Sequence, residues 1–449
     1  MLPSWFVQKS AHRRVFSLAL PMVLSSVSVP LLGLADTVVI GHLDKSWYLG
    51  GVSVGSMVIN LLFWLLGFLR MSTTGLTAQA LGAGDGRQQL LILGRSLLVA
   101  LVLALIILLL HWPLAHWLFQ LTGGSTEVRH YAEIYFKIRV WSAPAALANL
   151  ALLGWMIGMQ NARGPMLLLI LTNLVNIVLD VWFVIGLGWG VAGSASASVL
   201  ADYCGLAFAL LYCSRMLSPL WKEFGEKLWR QLASGRELLL MMGLNRDIFI
   251  RSLCLQLCFA FMTMQGAALG DNIVAANAIL LNFLMFISYG LDGFAYASEA
   301  MAGHALGRGK RSQFRQVVIL NLFWGGLVAI GFSLVYGLGG DLLIGLITSL
   351  KEVQHNAELY LPWLVAIPML SAWCFILDGV FVGATWAKEM RNAMLVATTC
   401  FFFPIWWLLS SYGNHALWAA MSAFMLGRGL SMALILWRKE RRFNQLSLA

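Results

Sequence analysis

Hydrophobic residues along this chain come in long continuous runs, not in the alternating or one-faced patterns of soluble strands and helices. Runs near the roughly 20 residues needed to cross a hydrocarbon core occupy 15–40, 48–72, 91–111, 132–159, 165–187 and 191–214. A second series follows at 247–269, 273–303, 314–337, 358–386, 391–411 and 414–437. Backbone polar groups in lipid must be satisfied within a segment or within a closed barrel, and segments this apolar do so as helices. The pattern predicts an all-α integral membrane protein with twelve transmembrane helices. The first run is too long for a signal-peptide core and no small-residue cleavage site closes it, so it is expected to remain as the first helix.

The two series of runs belong to an internal repeat. Ala80-Leu81-Gly82-Ala83-Gly84 returns 225 residues later as Ala305-Leu306-Gly307-Arg308-Gly309, and Tyr135, Gly154, Gly158 and Ala162 fall on Tyr360, Gly379, Gly383 and Ala387. A duplicated apolar unit of this size implies a two-lobed membrane transporter. The expected organisation is an N-terminal six-helix lobe over 1–216, a cytoplasmic linker over 217–245 that carries Lys222, Glu223, Glu226, Lys227, Arg230, Arg236 and Glu237, and a C-terminal six-helix lobe over 246–449. Six spans is an even number, so both halves enter the membrane with the same orientation. The lobes are then expected to be related by a pseudo-two-fold axis along the membrane normal. The glycines at 82, 84, 307 and 309 suit tight helix-to-helix turns. A phosphate-cradling loop is the competing reading, but no preceding strand or Gly-Lys-Ser/Thr sequence supports it.

Composition sharpens this picture. A mean hydropathy of +0.79 with 11% charged residues excludes an ordinary soluble protein, where about 25% are charged, so lipid must solvate most of the surface. The net charge of +10 follows the sides of the membrane instead of forming a nucleic-acid-binding face. With a cytoplasmic N-terminus, Lys45, Arg129, Lys137, Arg139 and Lys351 fall outside, Arg70 and Arg428 lie within spans, and most of the 30 basic residues lie inside, among them Lys9, Arg13, Arg14, Arg308, Lys310, Arg311 and the tail Arg438, Lys439, Arg441, Arg442. This positive-inside bias puts both termini in the cytoplasm. The six cysteines lie within spans, which argues against a disulfide framework. Cys254 and Cys258, at i and i+4, read as packing residues and not as a metal pair.

Carboxylates inside spans carry the sharpest chemistry, since placing Asp at a helix centre costs about 2.5–3.5 kcal/mol even on a translocon scale. Asp36, Asp180 and Asp202 lie in the first half, and Asp292, Glu299 and Asp378 in the second. At about 1.5 Å of rise per residue, Asp36 and Asp180 both reach the outer half of the membrane. Asn173, Asn176 and Asp180 fall at i, i+3 and i+7, one polar stripe, and Ser198 reaches a similar depth. Desolvation and mutual repulsion disfavour the second negative charge of such a pair, which titrates as a unit. A bound cation would relieve the repulsion, so that cation and proton exclude one another, as antiport requires. The competing reading is structural, with the carboxylates hydrogen-bonded to neighbours or paired with Arg70. Pro21 and Pro30 precede Asp36 in the first span, and each removes a backbone hydrogen bond and can kink the helix.

Taken together, Pro30-Leu-Leu-Gly-Leu-Ala-Asp36-Thr-Val-Val-Ile-Gly-His-Leu43, Arg70-Met-Ser-Thr-Thr-Gly-Leu-Thr-Ala-Gln79, Asn176-Ile-Val-Leu-Asp180, Leu291-Asp-Gly-Phe-Ala-Tyr-Ala-Ser-Glu299 and Leu377-Asp-Gly-Val-Phe-Val-Gly-Ala-Thr385 resemble the multidrug and toxic compound extrusion (MATE) family, in its DNA-damage-inducible protein F branch, over nearly the full chain. The resemblance implies alternating access and ion-driven efflux of amphipathic, often cationic compounds. It further implies coupling through Asp36, Asp180 and Asn176, a helix bend at Pro21, and a hydroxyl position, commonly Thr, filled here by Ser198. Sodium-coupled relatives use a Glu in the seventh span together with the Asp of the tenth. Here no acidic residue occurs between Asp247 and Asp271, Gln256 is the polar residue nearest that role, and Asp378 alone makes a poor all-oxygen site.

The expectation is therefore a proton-coupled antiporter of the bacterial cytoplasmic membrane that exports amphipathic, mainly cationic compounds. It is expected to be a monomer in lipid, with no metal, cofactor or nucleic-acid partner. Asp36, Asp180, Asn176, Ser198 and Asn173 are the expected coupling and binding residues, and Asp202, Asp292, Glu299, Asp378 and Arg70 are secondary candidates. A flippase for lipid-linked precursors is a competing function, but it calls for cationic cavity residues where the in-span charges are mostly acidic. A membrane-embedded lipid-modifying enzyme needs a nucleophile, a His-Glu-x-x-His site or Asp-rich motifs, none of which the sequence contains.

Overall fold

The computed structural model describes residues 9–41, 46–121, 125–224, 229–232 and 234–446. His42, Lys45, Glu226 and Lys227 of the sequence reading lie outside the described residues. The apolar runs form helices, and among the described residues there is no strand. The first half contains α1 (Lys9–Gly41), α2 (Ser46–Leu65), α3 (Phe68–Ala83), α4 (Gly86–Leu121), α5 (Thr126–Arg139), α6 (Ala143–Gly158), α7 (Arg163–Asp180) and α8 (Gly190–Phe224). After α9 (Trp229–Leu232), the second half contains α10 (Gly235–Leu269), α11 (Asp271–Gly307), α12 (Arg311–Ile347), α13 (Lys351–Gly383), α14 (Ala387–Val396), α15 (Phe403–Leu408) and α16 (Asn414–Leu446). Among the described residues, ten helical stretches are long and apolar enough to cross a membrane. The remaining two expected spans are α1 and the stretch in which α14 passes through a π-helical turn, Ala397–Phe402, into α15.

The departures from the expected spans have local causes. The second span, expected to end at 72, breaks at Leu66-Gly67 and continues as α3 to Ala83. The expected linker is largely helical, because α8 runs on to Phe224 and α10 begins at Gly235. Its apolar residues Leu217, Leu220 and Leu232 pack against Leu90 and Leu91 of α4. Buried Arg95 of α4 donates to the Gln231 carbonyl at 3.0 Å and lies 3.5 Å from a Glu237 carboxylate oxygen.

The repeat is written into the backbone. Among the described residues, the non-glycine residues with positive φ are Gln160 (58°) and Thr385 (56°), 225 positions apart, and Gly84 and Gly188 (72° and 69°) are matched by Gly309 and Gly413 (66° and 59°) at the same offset. Hydrogen bonds recur with them. Asp85 donates to the Ala80 carbonyl as Lys310 does to Ala305, both at 3.0 Å, and Asn161 donates to Met156 as Trp386 does to Phe381, at 3.0 and 2.9 Å. These are six-to-one closures of helix C-termini around a left-handed residue, so the Ala-Leu-Gly-x-Gly segments are caps.

Packing recurs as well. A Cβ on Gly154 would strike the Arg70 carbonyl and one on Gly158 the Thr74 carbonyl, while Gly379 and Gly383 meet Ala295 and Glu299 in the same way. Each contact lies 225 residues from its twin. Glycines four apart let α6 close on α3 and α13 close on α11 with backbones nearly touching, the small-residue packing that holds helices together in lipid. Gly379→Val is expected to destabilise the second half by about 1–3 kcal/mol, the range for overpacking. Thermal unfolding of purified protein against a surface Gly326→Val control, where a Cβ meets open space, checks this.

By contacts the chain falls into two compact units, Leu24–Met242 and Met1–Val23 with Gly243–Ala449. The division lies inside α1, two residues past Pro21, whereas the sequence reading divides the chain at the linker. Trp324 Nε1 donates to His12 at 3.0 Å, and Phe16 packs edge-on to Phe294 and Trp324, which attaches the start of α1 to the second-half unit. α1 itself is helical through Pro21 and Pro30.

Candidate functional site

Four helices of the Leu24–Met242 unit converge on Asp36 and Asp180. α1 brings Asp36. α7 brings Asn173, Asn176 and, as its last residue, Asp180, after which the chain widens into one π-helical turn, Val181–Gly186. Such turns shift the helix register and are common at functional sites. α8 carries Ser194, Ser198 and Asp202 at i, i+4 and i+8, and α5 carries Tyr135 and Arg139 at i and i+4, one face of each helix. Gly55 of α2 leaves room for the Tyr135 ring, from which an added Cβ would stand 2.9 Å.

The two carboxyl groups lie within hydrogen-bonding reach of each other, with Ser194 beside Asp180. Asp180 is 1% exposed, and neither of its oxygens, nor Asp36 Oδ1, finds a donor in the protein. Ionised carboxylates only accept. Two ionised carboxylates so placed repel one another, and a proton or a cation between them would relieve that repulsion.

Around the pair the polar groups are ordered. Asn176 Nδ2 donates to Ser198 Oγ at 2.8 Å. Tyr135 sits among Ser198, Arg139, Asp36 and Asp180. Arg139 donates to Asp202 Oδ2 at 2.6 Å, with only 12% and 15% of the two side chains exposed, and also to Ser142. The Asn149 amide donates to the Asp202 carbonyl at 3.0 Å. Asp202 is therefore neutralised in place, and the uncompensated acids of the cluster are Asp36 and Asp180.

Asn173 is not part of this inner set. Its amide donates to Ser28 Oγ at 2.7 Å, tying α7 to α1 two turns before Asp36. Asp292, Glu299 and Asp378 belong to the other unit. Glu299 is buried, and its carbonyl lies under Gly383. Asp378 sits between Arg251 and Arg428. Arg70 contributes its carbonyl to the Gly154 contact. Two basic residues that the charge count by membrane side left as free loop charges are paired. Arg139, counted on the outer side, is a largely buried member of the cluster, and Arg251 is buried against Asp378. Sequence reasoning missed Tyr135 and Arg139 as site residues. Their i, i+4 spacing on α5 was the available signal, matched by the polar spacing of Ser194, Ser198 and Asp202, but it is masked by Glu127, Arg129, His130, Glu133 and Lys137 on the same helix.

The repeat supplies an internal control. Asp36, Asn176 and Asp180 fall on Phe261, Phe401 and Ile405. Phe261 is the hub of an aromatic cluster, with Phe402, Phe403 and Trp406 at 5.8, 5.2 and 4.8 Å between ring centroids. The fold is thus built once with the acids and once without them, so they are not a requirement of the helix packing. Among the described residues, no group of three or more His, Cys, Asp or Glu side chains could hold a metal ion.

Comparison with known proteins agrees with the duplicated architecture. The MatE family model matches twice, over residues 21–182 and 248–408. The chain is 48% identical over 435 residues to DNA damage-inducible protein F of Escherichia coli (strain K12), covering 96% of this chain and 93% of that one. It is 24% identical over 424 residues to the probable multidrug resistance protein NorM of Pseudomonas syringae pv. tomato (strain ATCC BAA-871 / DC3000), covering 89% and 88%. Its structure superposes, with a TM-score of 0.84 and 19% identity over 98% of this chain and 97% of the other, on an outward-facing multidrug resistance MATE family transporter of the MOP superfamily.

Proposed function

Since the chain belongs to the MATE family of multi-pass membrane transporters, we propose that it is a proton-coupled antiporter exporting amphipathic organic cations across the bacterial cytoplasmic membrane, with both termini inside. The observation that carries this reading is the Asp36–Asp180 pair, in which Asp180 is buried, Asp36 half-buried, and neither oxygen of Asp180 nor Asp36 Oδ1 has a hydrogen-bond partner in the protein. With a proton between them the carboxyls are satisfied. Without it they form a site of concentrated negative charge, which a cation with an apolar body would neutralise. Proton and cation compete for the same charge, and that competition is the coupling free energy.

The surroundings suit this task. Arg139 and Asp202 form a neutral pair beside the acids, which leaves the acid pair's charge uncancelled. Tyr135, Ser194, Ser198 and Asn176 offer short hydroxyl and amide contacts to whichever occupant is present. Asp36 and Asp180 belong to the same unit, and the Asn173–Ser28 hydrogen bond between α7 and α1 holds the two acid-bearing helices together. Protons are favoured over Na⁺ because Asp378, the acid of the tenth span, already accepts from two arginines, and cationic side chains repel a second cation.

Inside-out vesicles carrying the protein are expected to take up a fluorescent organic cation when a pH gradient is imposed, at a rate indifferent to Na⁺. Uptake that follows a Na⁺ gradient and ignores the pH gradient would overturn the proposal.

A further inference from the structure

The unit that contains α12, α13 and α16 carries an open groove on its surface, with a volume of about 390 Å³. α13 packs against both α12 and α16, so its Leu370, Trp373 and Leu377 form a floor between Leu322 of α12 and the facing side of α16. α16 lines the groove with one stripe, Leu426, Leu430, Ala433, Trp437 and Glu440, spaced at helical intervals. Among the described residues that line it, Glu440 alone is charged.

Length and end chemistry narrow the occupant. From Leu426 to Glu440 the helix rises about 21 Å, the depth of one leaflet with its headgroups, half of a roughly 40–45 Å bilayer. Lipid tails are as apolar as leucine, so the floor gains little over bulk lipid and any preference must come from the charged end. There Glu440 is half-buried and makes no ion pair among the described residues, while the adjacent Lys439 is committed to Glu389 at 2.6 Å. The Arg441 guanidinium carbon stands 3.8 Å over the ring of Trp437, itself a lining residue. The mouth of the groove therefore presents one carboxylate and one guanidinium.

The internal repeat shows that the scaffold does not require this arrangement. Ala433, Trp437 and Glu440 fall on Phe208, Tyr212 and Arg215 in the first half. A phenylalanine stands where Ala433 leaves space, the Tyr212 hydroxyl accepts from Asn161 at 2.9 Å, and the acid is replaced by a base.

We propose that the groove holds one phospholipid with a phosphoethanolamine headgroup, its acyl chain along the α13 floor, its ammonium on Glu440 and its phosphate on Arg441. A primary ammonium donates charge-assisted hydrogen bonds to a carboxylate, and a phosphate accepts them from a guanidinium. An anionic headgroup without a cation meets only repulsion at Glu440, and an organic cation without an anion leaves Arg441 unused. The site stands whether or not the acid pair couples transport to protons.

Thermal unfolding of the purified full-length protein in detergent micelles doped with dioleoylphosphatidylethanolamine or dioleoylphosphatidylglycerol tests this. A saturable upward shift is expected with the ethanolamine lipid. Glu440→Gln is expected to raise the lipid fraction that gives half of this shift by about threefold, the size expected of a partly exposed ion pair, without weakening the effect of the glycerol lipid. Ala433→Trp, which fills the groove and keeps both charges, is expected to raise it as well. Both side chains border the groove, so both variants are expected to fold. The absence of a shift with the ethanolamine lipid overturns the site, as does a shift unchanged in both variants. A shift weakened in Ala433→Trp but unchanged in Glu440→Gln overturns the headgroup assignment. If tetraphenylphosphonium gives a shift that Glu440→Gln abolishes and the lipid gives none, the groove takes an organic cation and the lipid assignment is overturned.

Discussion

Asp36→Asn is expected to reduce pH-driven cation uptake to the level of empty vesicles while leaving the protein folded. The substitution keeps the size of the side chain and supplies an amide donor to Asp180, whose two oxygens have none in the wild type. The variant pair therefore holds no exchangeable proton between its members, and Asp180 can stay ionised against the amide. A cation that binds such a site has no proton to displace, and a proton gradient has nothing to act on. Asp180→Asn is expected to do the same from the other side. The double variant should be no worse than either single one, because both substitutions break one functional unit and their effects are not additive. Retention of pH-driven uptake by Asp36→Asn would place the coupling elsewhere.

The second large effect is expected at Asp202, which a survey of the acid pair alone would overlook. Asp202 holds Arg139 at 2.6 Å in a largely buried contact, and removing one partner of a buried pair costs about 3–5 kcal/mol, since the other charge is left unpaired. Here the orphaned guanidinium has other carboxylates within reach of its field, namely Asp36 and, past Tyr135, Asp180. In Asp202→Asn, Arg139 becomes a tethered cation that competes with proton and substrate alike. Cation affinity is expected to fall by about tenfold or more, a coupling of at least about 1.4 kcal/mol, and thermal stability should fall with it. Arg139→Gln with Asp202→Asn removes both charges and is expected to recover most of each loss. Equilibrium binding of a radiolabelled cation to the single and double variants checks this. A double variant as impaired as the single one would show that the Arg139 charge is not the cause.

Much of the architecture was legible in the sequence because lipid imposes a simple rule: a span must be long, apolar and helical. The offset of 225 survived in the glycines for a physical reason. Gly154, Gly158, Gly379 and Gly383 lie where another backbone leaves no room for a Cβ, and Gly84 and Gly309 where the chain is left-handed. Gln160 and Thr385 adopt the same left-handed turn without glycine, which is why this third element of the repeat was invisible before the structure. The acid pair was legible as well, since carboxylates in lipid are costly enough to be conspicuous. Its setting was not. The contact of Arg139 with Asp202 joins residues 63 positions apart, and counting charges by membrane side assigned Arg139 to the exterior. The π turn after Asp180 has no sequence signature, and the packing of the linker's apolar residues Leu217, Leu220 and Leu232 on α4 joins positions far apart in the chain.

The asymmetry between the halves bears directly on mechanism. One scaffold is used twice, with an acid pair in one unit and, at the matching positions, the aromatic cluster of Phe261. The acid pair is thereby confined to one unit, and the other carries a different charged cluster at Arg251, Asp378 and Arg428.

The most direct test of the central claim is the release of protons on cation binding, followed with a pH indicator in a weakly buffered solution of purified protein titrated with tetraphenylphosphonium. Competition at Asp36 and Asp180 requires the release of about one proton per cation bound, and none from Asp36→Asn. Cation binding with no proton release, or release undiminished in that variant, would contradict the account.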